Sequence, residues 1–103
     1  MSNCTSIGDT AFSGCTLLTN IGNLSNNITL IKGSTFSNCS SLTTIDLSNV
    51  TSIGDSGFNN CTSLTTVGDL SNVTSIGSFA FSSCSLLTSV DLSNVTTIGG
   101  RAF

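Results

Sequence analysis

The sequence predicts a solenoid of stacked repeats, and two observations carry that prediction. The phrase LSNVTSIG occupies residues 47–54 and occurs again, unchanged, at residues 70–77. Phenylalanine recurs every 22 to 24 residues, at Phe12, Phe36, Phe58, Phe81 and Phe103. One copy of such a repeat cannot bury its own apolar residues, whereas stacked copies bury them in a continuous core.

A short strand is predicted near the end of each repeat. In CSSLTTIDL, residues 39–47, polar and apolar residues alternate so that Ile45 and Leu47 face inward and Thr44 and Asp46 face outward. The repeat length and the phrase LTTIDLSN have the spacing of a leucine-rich repeat. The predicted fold class is a leucine-rich-repeat solenoid of short parallel strands and turns, with about four and a half rungs of 22–24 residues.

Two further elements complete each repeat. NVTSIG reads as a second extended segment, closed by Gly54, Gly77 or Gly99, where we expect a turn with positive φ. SFAFSSC, residues 78–84, places Phe81 and Cys84 three positions apart, which suits a single helical or 3₁₀ turn. We expect one solenoid segment, residues 1–103, that is a fragment beginning and ending inside a repeat.

Composition excludes several classes of function. Only 7% of the residues are charged, histidine is absent and the net charge is -3. Binding to nucleic acid requires several basic residues against phosphates, so nucleic acid is excluded as a partner. No apolar run approaches the ~20 residues of a membrane span, so no membrane insertion is expected. The N-terminus MSNCTSIGDTAF lacks the charged and apolar regions of a signal peptide.

The order of the repeated residues carries a family resemblance. The pattern IGxxAFxxCxxL is legible from Ile7 to Leu18 and from Ile76 to Leu87, and SIGDSGFNNCTSLTTV follows it closely. The chain resembles the BspA-like, or Treponema pallidum-type, leucine-rich repeats over essentially its whole length. It departs where serine follows the strand leucine, a position at which the family often has proline. The resemblance implies binding by surface proteins and adhesins, and hence an extracellular or cell-surface location, without naming a ligand.

Four cysteines stand one per rung, at Cys15, Cys39, Cys61 and Cys84. Neighbouring rungs are about 4.8 Å apart, which exceeds the roughly 3.8 Å between the Cβ atoms of a relaxed disulfide. Zinc is weakly supported because no Cys-x-x-Cys or histidine accompanies them. We interpret these cysteines, and Cys4 in a valine position, as core thiols, with disulfides or a metal as the alternatives.

A row of acidic residues is predicted on the concave face. Together with neighbouring polar residues it forms the predicted binding surface, which comprises Asn20, Asn23, Thr44, Asp46, Thr66, Asp69, Ser89 and Asp91. A Ca²⁺ site and an acid–base pair are the alternatives for the acidic row. Identical groups in a line, without a second ligand type or a base, favour solvated charges. We therefore predict no enzyme activity, no cofactor and no metal.

Asparagine and threonine also form columns. Eight asparagines begin N-x-Ser/Thr sequons and are glycosylation candidates: Asn3, Asn23, Asn27, Asn38, Asn49, Asn60, Asn72 and Asn94. Asn3, Asn49, Asn72 and Asn94 directly precede the valine of the repeated phrase, or Cys4 in its place, and we interpret these four first as a hydrogen-bonded ladder. Threonine columns run through Thr19, Thr43, Thr65 and Thr88 and through Thr5, Thr29, Thr51, Thr74 and Thr96. Threonine favours strands, and ice binding is the remote alternative.

The sequence thus predicts a non-enzymatic recognition or adhesion module whose partner is a protein or cell-surface ligand. The alternative is a self-assembling structural protein. Solenoids need polar caps to stay soluble, and neither residues 1–7 nor residues 96–103 supply one. We therefore expect both ends to expose apolar columns and to associate with further copies of the chain.

Overall fold

The computed structural model describes residues 6–22, 27–88 and 90–103, and in these ranges the chain winds into a stack of parallel rungs. We begin each rung from the second onward at the leucine of the repeated phrase, Leu24, Leu47, Leu70 or Leu92. Rung 1 ends at residue 23, rung 2 spans 24–46, rung 3 spans 47–69, rung 4 spans 70–91 and rung 5 spans 92–103. Cys4 and the other residues of the segment 1–5 lie outside the described ranges. None of the described residues belongs to a helix that could cross a membrane.

The regular sheet comes from the extended segment NVTSIG. Its strands are β1 (Leu30–Ile31), β2 (Ser52–Ile53), β3 (Ser75–Ile76) and β4 (Thr97–Ile98). They pair in parallel in chain order, with the isoleucines of successive strands in register. The N–H of Gly54 donates to the Ile31 carbonyl at 2.6 Å, and Gly77 and Gly99 make the equivalent bonds one and two rungs later. The predicted parallel strands are therefore confirmed.

The strand predicted at the end of each repeat is reduced to a single bridge within the described residues, between Thr44 and Thr66. The inward and outward directions are confirmed, because Ile45 and Leu47 are buried while Thr44 and Asp46 are exposed. The ladder stops because rung 3 carries an extra residue, Gly68, with φ +74°. An extra residue in one strand offsets its register against the neighbouring strand.

The turn around each phenylalanine is not the single helical or 3₁₀ turn that was predicted, and no helix occurs among the described residues. In rung 4 the N–H groups of Ala80, Ser82 and Cys84 each donate to the carbonyl three residues earlier. Phe79 and Ser83 have φ of 60° and 62°. Positive φ at the third residue of a turn is typical of type II turns and is incompatible with a 3₁₀ helix.

The glycines that follow the strands are required for a reason other than the predicted positive φ. Among the described glycines, positive φ occurs at Gly14, Gly22 and Gly68. At Gly99, a Cβ atom would overlap the backbone nitrogen of Ser78 in the preceding rung. These glycines are thus required by close approach of two backbones. Rung 2 has Lys32 instead of glycine at the equivalent position. A side chain can be present there because, within the described residues, no strand pairs with β1 on the side of rung 1.

Stacked phenylalanines form the centre of the core. The rings of Phe12, Phe36, Phe58, Phe81 and Phe103 have centroids 5.2 to 5.4 Å apart and are nearly parallel. The two ends of the stack differ. Phe103 is 53% exposed and Ile98 is 51% exposed, as predicted for the C-terminal end. At the N-terminal end Ile7 is only 4% exposed, so the prediction of an open apolar column is wrong at that position.

Candidate functional site

A shallow polar groove crosses rungs 1 to 3 on the face that carries the predicted binding residues. It encloses about 320 Å³ and is lined by Asn20, Gly22, Thr44, Ile45, Asp46, Thr66 and Gly68. Four of the predicted residues, Asn20, Thr44, Asp46 and Thr66, thus come together in one surface feature. All four are exposed.

Two glycines shape this groove, and the sequence analysis missed both. Gly22 and Gly68 stand before Asn23 and Asp69 as extra residues in rungs 1 and 3, and their φ values are +71° and +74°. A Cβ atom on Gly68 would lie 2.7 Å from Asp46 Oδ1, so any other residue here would displace the Asp46 carboxylate from its present position. The extra residues could have been recognised from the spacing of the phenylalanines, which is 24 and 23 residues across these two rungs and 22 residues elsewhere.

The Asp46 carboxylate is held in place by a backbone N–H two residues later in the chain. Its Oδ1 accepts a hydrogen bond from the Ser48 N–H at 3.0 Å. Such an Asx turn fixes the side chain while the second carboxylate oxygen keeps its acceptor capacity. The groove residue Asn20 makes the same turn by accepting the Gly22 N–H at 3.0 Å. The site therefore presents a pre-oriented negative charge among uncharged polar groups.

The remaining predicted binding residues are not in the groove. Asp69 and Asp91 are exposed and form Asx turns with the N–H groups of Ser71 and Ser93, at 2.9 Å each. The Ser93 N–H lowers the pKa of the Asp91 carboxyl. Asn23 and Ser89 lie outside the described residues. In the described part of the chain, no three acidic, cysteine or histidine side chains are grouped as metal ligands would be.

The four cysteines that the structure describes are free thiols. Each thiol from rung 2 onward donates to the carbonyl of the phenylalanine one rung earlier, as Cys61 does to Phe36 at 3.1 Å. Cys39 and Cys61 are buried, whereas Cys15 and Cys84 are half-buried. Burial raises the pKa of the Cys39 thiol. The neighbouring Cys84 thiol, together with burial, raises the pKa of the Cys61 thiol, and the neighbouring Cys61 thiol lowers the pKa of Cys84.

The asparagine ladder is confirmed at two positions. The side-chain amides of Asn72 and Asn94 donate to the Ser48 and Ser71 carbonyls of the preceding rungs, at 2.7 and 2.8 Å. Asn60 donates to Asn38 in a second column at 2.9 Å. The sequon asparagines in the described ranges, including Asn27 and Asn49, are exposed. Asn3 and Asn23 lie outside those ranges, and glycosylation stays a prediction.

The threonine columns bond to backbone. Thr51, Thr74 and Thr96 each donate their hydroxyl to the carbonyl of the threonine one rung earlier, at 3.0 to 3.3 Å. Thr43 and Thr65 do the same in the other column. These threonine hydroxyl protons therefore form hydrogen bonds between neighbouring rungs. Ice binding stays a prediction.

Comparison with known proteins agrees with this architecture. A family model described as "BspA type Leucine rich repeat region (6 copies)" matches residues 1–103. A solved leucine-rich repeat protein from Bacteroides ovatus ATCC 8483 aligns over 100% of this chain, with 26% sequence identity and a TM-score of 0.66. The chain spans 33% of that protein's length. No curated protein sequence matches the chain significantly.

Proposed function

Because the chain belongs to the BspA-type leucine-rich repeat family, we propose that it is a non-enzymatic protein-recognition module that binds its partner in the groove around Asp46. The partner chemistry that fits is an extended polypeptide on a protein or cell surface that places a lysine or arginine against the Asp46 carboxylate. The wider concave row, including Asp69, Asp91, Asn23 and Ser89, would contact the flanks of such a partner. A surface-adhesion role is part of this proposal.

The observation that carries the proposal is the position of Asp46 between two glycines. An acidic side chain that served only to keep the surface soluble would not need Gly68 beside it, where a Cβ atom would lie 2.7 Å from Asp46 Oδ1. Gly22 lines the same concavity, and a Cβ atom there would meet nothing within 4 Å, so the carboxylate stands in an open polar groove. The hydroxyls of Thr44 and Thr66 and the amide of Asn20 supply hydrogen-bonding groups for a peptide backbone. The low charge of the chain, -3 in total, makes this local charge the main electrostatic feature of the groove.

Asp46→Asn tests the proposal without disturbing the fold, since an asparagine oxygen can still accept the Ser48 N–H. The matched control is Asp55→Asn, which is exposed, can still accept the Ser78 N–H through its side-chain oxygen, and lies outside both the groove and the predicted binding surface. Binding would be measured by fluorescence anisotropy against an array of extended peptides that contain or lack lysine and arginine. We expect basic peptides to bind, Asp46→Asn to weaken their binding about tenfold and Asp55→Asn to leave their binding unchanged. Equal losses in both variants, or no discrimination between basic and neutral peptides, would exclude the groove as the site.

A further inference from the structure

We propose that Phe79 and Arg101, in the turns of rungs 4 and 5, form a second binding surface, for an extended acidic segment of a partner protein in which an aspartate or glutamate stands two positions from an aromatic residue. Neither Phe79 nor Arg101 lines the groove around Asp46, so this surface is separate from the one in the proposed function. An exposed aromatic ring, a backbone conformation that disfavours it and a neighbouring exposed cation together point to this role.

Phe79 occupies a position of the turn at which the first three rungs have small hydroxyl side chains. The equivalent residues are Thr10, Ser34 and Ser56, and Arg101 follows in rung 5. All five have φ between 55° and 60°, a left-handed conformation that is unfavourable for a bulky side chain. A serine would therefore form this turn with less strain than the phenylalanine that stands there.

The Phe79 ring does not offset this strain by packing in the core. It is 40% exposed, whereas Phe81, two residues later, is buried in the ring column. A single exposed phenylalanine is common on protein surfaces and needs no explanation. An exposed phenylalanine that is also held in an unfavourable backbone conformation indicates a role outside folding.

Arg101 leaves the next rung in the same direction as Phe79. The N–H groups of Phe79 and Phe81 donate to the carbonyls of Gly100 and Ala102, at 3.1 and 2.7 Å, so the two turns are in register. Phe79 and Arg101 share the same left-handed φ, and their Cα–Cβ bonds are therefore parallel. The rings of the phenylalanine column show that neighbouring rungs are 5.2 to 5.4 Å apart. The aromatic ring and the guanidinium thus stand side by side.

This surface lies on the flank of the solenoid. Ser34 and Ser56 occupy the same column in rungs 2 and 3, where described rungs stack on both sides, and both remain partly exposed. Phe79 has rung 3 on one side and rung 5 on the other and is exposed as well. Side chains in this column therefore point sideways out of the stack and not along its axis.

The chemistry of the two side chains defines the partner. The guanidinium of an arginine is permanently charged and binds a carboxylate through paired hydrogen bonds. A phenylalanine ring packs against another aromatic ring in an offset or edge-to-face arrangement. The chain has one other cation, Lys32, which is half-buried in rung 2. An acidic segment is therefore attracted to Arg101 and to little else on a chain whose net charge is -3.

An extended peptide presents the two groups together when they are two positions apart. Residues i and i+2 of a strand point to the same face and lie about 7 Å apart. The rotatable bonds of the Arg101 side chain span the difference between that distance and the spacing of the rungs. A peptide with the two groups at adjacent positions points them to opposite faces and cannot use both.

Fluorescence anisotropy with labelled peptides tests the proposal on the whole chain. The probes are acidic peptides in which a glutamate stands two positions before or after a phenylalanine. Matched peptides replace the glutamate by glutamine, replace the phenylalanine by alanine, or move the two groups to adjacent positions. We expect a probe to bind and each of these changes to weaken its binding about fivefold.

Phe79→Ser and Arg101→Gln assign the binding to the two side chains. Phe79→Ser introduces the residue that rungs 2 and 3 have at this position, and Arg101→Gln removes a charge at an exposed site, so both variants should fold. Phe79→Ser should bind the probe and its alanine version equally. Arg101→Gln should bind the probe and its glutamine version equally, because each variant lacks the group that distinguishes the two peptides.

The control variants remove comparable groups elsewhere. Leu30→Ser removes a similarly exposed apolar side chain, 43% against 40%, and introduces the residue that β2 and β3 have in register with it. Lys32→Gln removes the other cation. Both variants should leave binding of the probe unchanged, as should Asp46→Asn in the groove. Urea unfolding would confirm that each variant is folded.

A natural chain that binds no probe more tightly than its matched peptides would overturn the proposal. So would equal losses in Phe79→Ser and Leu30→Ser, or an Arg101→Gln variant that still distinguishes the probe from its glutamine version. Binding of the probe that is lost only in Asp46→Asn would exclude this surface as well. These outcomes concern acidic peptides and are distinguishable from those for basic peptides in the groove.

Discussion

Gly77 packs directly against Asp55 of the preceding rung: a Cβ atom on Gly77 would lie 2.5 Å from both the backbone nitrogen and Oδ1 of Asp55. Glycine here permits the Gly77 N–H to reach the Ile53 carbonyl at 2.8 Å and keeps β2 and β3 in register. The spacing between β2 and β3 depends on this lack of a side chain.

Gly77→Ala should therefore destabilise the protein by about 3 kcal/mol, because the added methyl group overlaps backbone that cannot move without breaking the ladder. The control is Gly100→Ala, where an added Cβ meets nothing within 4 Å and φ is not positive. Urea unfolding followed by circular dichroism would measure the free energy of unfolding of both variants. Similar free energies of unfolding for the two variants would contradict close approach as the reason for the glycine.

Phe58→Ala should cost roughly 3–5 kcal/mol, because it opens a cavity in the middle of the ring column. Phe58 is fully buried, with ring centroids 5.2 and 5.3 Å from Phe36 and Phe81. Phe79→Ala removes the same side chain from a site that is 40% exposed and serves as the control. Denaturant titration of both variants checks the prediction, and a loss below ~1 kcal/mol for Phe58→Ala would contradict it.

Maleimide labelling should distinguish the thiols by rung. Cys61 should react slowly in the native state, because it is buried, donates to the Phe36 carbonyl and has a raised pKa. Cys84 should react faster, since it is half-buried and its pKa is lowered. Only the thiolate is nucleophilic. Peptide mapping by mass spectrometry after brief labelling reads out each site, and equal labelling of Cys61 and Cys84 would refute the assignment.

The contribution of Cys39 to stability should depend on alkaline pH. Its folded pKa is raised by burial above the ordinary value of 9.0. Below pH 9.0 the thiol is neutral in both states, and above it the unfolded state releases the proton first. The free-energy difference between the natural chain and Cys39→Ala should therefore shrink as the pH rises past that value. Unfolding titrations across this range test the prediction, which fails if the difference stays constant.

Much of the architecture was predictable because it depends on the order of residues in each repeat and on the recurrence of that order. The period of the phenylalanines indicated the solenoid, and the alternation around Ile45 and Leu47 indicated the buried and exposed sides correctly. The family resemblance was likewise visible in the order and spacing of residues from Ile7 to Leu18. Four of the predicted binding residues do share one groove. These features follow from the order of residues in a repeat and from its recurrence along the chain.

Tertiary structure decided what depends on two rungs at once. NVTSIG, and not TTIDL, forms the continuous sheet, because the extra Gly22 and Gly68 offset rungs 1 and 3 against their neighbours while the segments of β1 to β4 stay aligned. The same glycine opens the groove beside Asp46. Gly99 is required by the backbone of Ser78, and not by its own φ. Sequence periodicity determines which residues enter the core, whereas the distance and register between neighbouring backbones are set only when the rungs stack.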